Sequence, residues 1–182
     1  MSTALPTLVV DLTQTETFLR LRWTAVNRAS DPLYLCVRTN IGDEIFALPY
    51  TYLRENDSVL AMTFRDIPIP PGMNVYSADI PFYRMLEQGQ SVTEAVEVPV
   101  PVREVHPYCE QTYPDNTVLV YVTKIAFSVE YLWCRDKYSA YPTPHDPELV
   151  MVRGSQHHLL EKLFELQKPM IVAKRLDEFY RY

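Results

Sequence analysis

Glu104, His106 and Cys109 fall within six residues of one another in the stretch VEVPVPVREVHPYCEQ, residues 96–111. A carboxylate, an imidazole and a thiol are the side-chain types that hold zinc and related ions. On an extended chain Glu104 and His106 share a face, while Cys109 lies beyond Pro107, where the chain changes direction. A fourth ligand is missing, and no CxxC or HxxxH pair elsewhere supplies a second half. The prolines give the segment a different reading. Pro99 and Pro101 occupy alternate positions, which suits a sheet edge or a polyproline II connector and blocks further strand addition. The stretch is therefore read as a stiff edge or sheet-crossing connector without a cofactor. Glu104, His106 and Cys109 stand as its ligands only under the alternative.

Thiol chemistry has one further candidate. Cys134 closes the run YLWC, with Arg135 to lower its pKa and Asp136 to oppose that effect. A nucleophilic cysteine needs a base beside it, and the sequence places none. His157 and His158 are adjacent, so they point to different sides of either a strand or a helix. His145 sits in a proline-rich loop next to Asp146. The chain contains no GxSxG, HExxH, glycine-rich phosphate loop or acidic calcium loop.

Tyrosines in connecting segments are the remaining signal. Tyr50 and Tyr52 lie in FALPYTYLR, Tyr108 and Tyr113 in HPYCEQTYP, and Tyr138 and Tyr141 in RDKYSAYPTPHDP. Tyrosine adds large contact area at low entropic cost, so these six are the expected interface residues.

The elements that must carry these residues are strands. In TFLRLRWTAVN, Leu19, Leu21, Trp23 and Ala25 share one face, and Arg20, Arg22 and Thr24 the other. In KIAFSVEYLW, Ile125, Phe127, Val129, Tyr131 and Trp133 oppose Lys124, Ala126, Ser128 and Glu130. Such period-two runs predict half-buried antiparallel strands with one wet face. Shorter strands are expected at residues 7–12, 33–38, 59–64, 75–78, 91–98 and 149–153. Turn chemistry joins them at NRASDP, RENDS, IPIPPGMN and YPDN.

The C-terminal run SQHHLLEKLFELQ admits two readings. Leu159, Leu160, Leu163 and Phe164 suit a helix face between a Ser155 cap and Pro169. Alternatively, FELQKPMIV aligns with VEVPVPV, matching Leu166 to Val98 and Pro169 to Pro101, which makes residues 155–168 a last strand.

The fold expected is mainly β: a single domain over residues 1–182, an antiparallel β-sandwich immunoglobulin-like in outline, with residues 177–182 as a tail. The Cys…Trp…Cys arrangement of antibody domains is absent. A net charge of −6 without a Lys/Arg stripe gives nucleic acid no electrostatic footprint. No window is long and apolar enough for a membrane span. The N-terminus lacks the basic and apolar regions of a secretory signal, so the three cysteines are expected reduced, in the cytoplasm.

These readings converge on a non-enzymatic protein-interaction or assembly module. It would use tyrosine- and proline-rich loops or a sheet edge, with itself or an unidentified protein as partner. A metal-binding or cysteine-dependent enzyme, built from Cys109, Cys134, His106, His157 and His158, is the alternative. A small-molecule or carbohydrate binder using Trp23, Trp133 or exposed tyrosines is a second.

Overall fold

Strands alone make up the regular structure of the described residues, which are 4–41, 44–54, 58–69, 80–108, 117–136, 138–143, 146–154 and 156–175 of the computed structural model. In chain order they are β1 (Thr7–Gln14), β2 (Phe18–Val26), β3 (Leu33–Ile41), β4 (Glu44–Phe46), β5 (Tyr50–Arg54), β6 (Val59–Phe64) and β7 (Phe82–Leu86). There follow β8 (Ser91–Pro99), β9 (Val102–Arg103), β10 (Thr117–Trp133), β11 (Tyr138–Pro142), β12 (Val150–Gly154) and β13 (His158–Arg175). The strand expected at residues 75–78 lies outside the described residues, as do the YPDN turn and the 177–182 tail.

Among those residues the strands form two sheets. The smaller is antiparallel, in the order β1-β2-β8. Alternation in β2 does what it predicts: Leu19, Leu21, Trp23 and Ala25 are buried, and Arg20 and Arg22 are exposed. The larger sheet runs β11-β12-β7-β3-β10-β13-β9, with β6 also on β10, β5 on β6, and β4 on β3. The two sheets meet in one core. Trp23 of β2 lies 5.7 Å from Phe64 of β6 and 5.9 Å from Phe127 of β10, ring centre to ring centre. Burying rings of this size is the largest favourable contribution such a core makes.

Pairing is not antiparallel throughout. β10 and β6 run parallel from Lys124↔Val59 to Val129↔Phe64, and β13 and β9 run parallel at Val172↔Val102. The expectation of a wet face on the second half of β10 is also overturned. Ala126, Ser128 and Glu130 are buried as fully as Ile125, Phe127 and Val129. This half of β10 is interior to its sheet, with β13 on one side and β6, then β3, on the other. Its polar groups are paired inside: Ser128 Oγ lies 2.8 Å from Thr63 Oγ1.

Of the two readings of the C-terminus, the strand is realised and the helix is not. β13 pairs with β10 from Tyr131↔His158 to Thr117↔Arg175. The register shifts between Val122 and Lys124, where residues 166–169 lie opposite Thr123 alone. Pro169, which has no N–H to give a ladder, sits in that bulge. Helical spacing of Leu159, Leu160, Leu163 and Phe164 is overridden because β10 offers a full-length partner for backbone hydrogen bonds, and non-local pairing outweighs local propensity.

The proline segment crosses between the sheets. Pro99 pairs with Phe18 at the end of β8, an edge strand of the small sheet. Three residues later Val102 pairs with Val172 in the large sheet. The turn after β2 is equally determined by its residues. Asn27 is fully buried, donates from Nδ2 to the carbonyls of Asp31 and Leu86 at 2.9 and 3.0 Å, and accepts from the Ala29 N–H at 3.0 Å.

Candidate functional site

Two features of the large sheet stand out: an open strand edge, and a buried carboxylate at one end of it. The edge belongs to β13. From residue 158 to 165 its inner side is paired with β10, and among the described residues no strand pairs with its outer side. Leu160, Phe164 and Leu166 point toward the core and are half-buried against it. The intervening side chains face solvent. Leu159 is 44% exposed and Leu163 58%, flanked by Glu161 and Glu165. Those two acids lean across the sheet: Glu161 accepts from Arg54 at 2.9 Å, and Glu165 lies 3.8 Å from Lys124. Among the described residues the edge therefore presents backbone groups without a strand partner beside apolar side chains, the condition under which strands add.

The carboxylate is Glu130 of β10, 1% exposed. Its Oε1 accepts a short hydrogen bond from the Tyr83 hydroxyl on β7. The same oxygen lies 3.0 Å from His157 Nδ1, just ahead of β13, and 3.4 Å from the backbone N–H of Asp66, just after β6. A buried anion requires such donors, since desolvation without them is costly. The neighbours feel it. Burial, and then the Glu130 charge, pushes the Asp66 carboxyl up to about 6, against opposing pulls from His157, Arg65 and Arg153. The Tyr83 hydroxyl is pushed well up by burial, with Cys36 and Glu130 adding to it. Cys36, fully buried, is likewise held far on the thiol side by burial and then by Glu130 and Asp66.

The residues singled out from sequence are dispersed. Glu104 Oε1 accepts the Leu53 N–H at 3.0 Å, and His106 Nδ1 accepts the Tyr108 N–H at 3.3 Å. His106 is buried, and that burial lowers its pKa to about 4. Cys109 lies outside the described residues, and among those described no three His, Cys, Asp or Glu side chains converge as metal ligands. Cys134 is pushed up to about 11 by burial and then Glu87, with a Tyr138 hydrogen bond acting against the rise, so its thiolate is scarce near neutrality. His158 stacks on Tyr131 at 5.1 Å, while its neighbour His157 turns to Glu130. His145 is outside the described residues.

The tyrosines divide. Tyr50 is 1% exposed and donates to the Asn40 carbonyl at 2.6 Å, so it packs inside rather than facing a partner. Tyr52 and Tyr108 are half-buried, the latter edge-on to His106. Tyr138 packs edge-on to Tyr34 at 5.1 Å, and Tyr141 is exposed; both lie on β11, the opposite margin of the large sheet, in what reads as a loop from sequence. Tyr113 is outside the described residues. Trp23 and Trp133 are both buried and offer no open ring face, and Arg135 covers Trp133 at 5.1 Å.

Glu130, Tyr83 and Asp66 carry no motif. The only trace of Glu130 in the sequence is an acid inside a largely apolar half-strand, between Val129 and Tyr131. Comparison with family profiles, curated proteins and solved structures finds no match to this chain. Among the described residues no helix is long and apolar enough to cross a membrane.

Proposed function

We propose that this protein is a non-enzymatic interaction or assembly module that takes an extended strand onto the outer edge of β13. The observation that carries the reading is the eight-residue run 158–165, whose outer side no described strand pairs, with Leu159 and Leu163 exposed along it. Strand addition uses the unpaired backbone groups for affinity and alternate side chains for specificity. Two other edges are less suitable. β8 ends in Pro99, and β11 is short and ends at Pro142. The two sheets are read as a sandwich with an immunoglobulin-like outline, acting in the cytoplasm with reduced thiols. Exposed Tyr141 on β11 is a secondary contact point.

The test is direct. Amide signals of residues 158–167 are followed while a peptide with the sequence of residues 158–168 is added, and sedimentation is measured on the chain alone. Protection of alternate amides by the peptide, or a dimer abolished by Leu163→Lys, supports the reading. A monomer whose edge amides stay unprotected at saturating peptide overturns it.

A further inference from the structure

The Glu130 centre ties together four separate pieces of chain. Glu130 is on β10, Tyr83 on β7, Asp66 follows β6, and His157 leads into β13. Three of these contacts converge on a single oxygen. His157 is the contact that fastens the start of β13, because its neighbour His158 is the first paired residue of that strand.

We propose that this centre is a proton-operated latch on the start of β13, tightened in mild acid and loosened in mild base. The charges around it decide the direction. The Asp66 backbone N–H lies 3.4 Å from Glu130 Oε1, which brings the Asp66 carboxyl near enough for the Glu130 charge to push its pKa up, so the two repel when both are ionised. A proton on Asp66 removes that repulsion. A proton on His157 turns its contact with Glu130 into an ion pair, and the attraction between His157 and Asp66 that opposes the effect of a proton on Asp66 is smaller than the Glu130 repulsion it relieves. Among the described residues, the other groups acting electrostatically on the centre are Cys36 with Arg38 on β3, Arg65 next to Asp66, and Arg153 on β12. Cys36 and Tyr83 are held neutral by burial, and Arg65 and Arg153 stay cationic throughout. Asp66, raised to about 6, is therefore the carboxyl of this group that changes charge between mild acid and mild base, and His157 supplies an imidazole, the side-chain type whose ordinary titration spans the same range.

The latch stands on this geometry whether or not β13 docks a strand. Hydrogen exchange of the amides at 158–163, corrected for intrinsic rate, reads it out in the whole chain at pH 5 and pH 8. Protection is expected to be several-fold greater at pH 5, with about tenfold as the ceiling for a carboxyl moved from 3.8 to about 6. Amides in β2 serve as the control for global stability. Asp66→Asn is expected to raise edge protection at pH 8 and flatten the response, and His157→Gln to lower protection at pH 5. Both substitutions lie at the rim of the centre, so they report even if Glu130→Gln fails to fold. Equal protection at both pH values, a response shared fully by β2, or Asp66→Asn and His157→Gln profiles matching the unmodified chain would overturn the proposal.

Discussion

His157 Nδ1 lies 3.0 Å from Glu130 Oε1, so the start of the longest strand is fastened to a carboxylate that water scarcely reaches. The donors on that carboxylate hold it in place, and removing one leaves an anion under-satisfied inside the sheet. Tyr83→Phe takes away the hydroxyl and nothing else. Urea denaturation is expected to show a loss of about 1–3 kcal/mol, the usual cost when a buried charged group loses its hydrogen bond. A loss below a few tenths would mean that water or another group replaces the hydroxyl.

Asp66 predicts a stability gain from a substitution. Its folded pKa is raised from 3.8 to about 6, so its favourable contribution is complete below 3.8 and is lost as pH rises through 6. Asp66→Asn should therefore stabilise the protein at pH 7–8 by roughly 1 kcal/mol, a figure discounted for partial exposure. The gain should shrink to nothing near pH 4. Denaturant midpoints across pH 4–8 check both the sign and the window.

His106 works in the opposite sense. Its pKa falls from 6.5 to about 4 because the ring is buried, so it contributes stability above 6.5 that is lost as pH drops toward 4. His106→Gln should flatten the acid limb of the stability curve by about 2–3 kcal/mol. A proton NMR titration of the His106 ring checks the premise: it should remain neutral at pH 5.

The aromatic junction between the sheets is the place where a cavity costs most. Phe127 contacts Trp23 and Phe64 and is fully buried. Phe127→Ala is expected to cost about 3–5 kcal/mol. Trp23 emission, shielded in the folded state, should report the unfolding midpoint directly.

Leu163→Lys separates stability from docking. At 58% exposure the side chain gives the fold little, so the midpoint should move by no more than about 0.5 kcal/mol. Binding of the 158–168 peptide should be lost, because a cation replaces the apolar contact on the edge. A variant that still binds would place the docking edge elsewhere.

Several elements are legible in the residues alone. β2 and the second half of β10 follow from alternation, and residues 59–64 match β6 from end to end. Asn27 announces the turn after β2, since a short amide can satisfy two backbone groups of a tight bend, at Ala29 and Asp31, while also reaching the Leu86 carbonyl on β7. Pro99 and Pro101 mark the connector, because a residue without an N–H cannot continue a central ladder.

The strand class, the core face of β2 and the places where the chain must turn all depend on a residue and its near neighbours, and so they can be read along the chain. Three other features cannot: that 158–175 is a strand, that β6 runs parallel to β10, and that Ser128 and Glu130 lie inside. Each depends on a partner distant in the chain: β10 for β13, β6 for β10, and Tyr83 with His157 for Glu130. Period-two alternation states which side chains share a face, but burial of that face is settled by what packs against it in three dimensions.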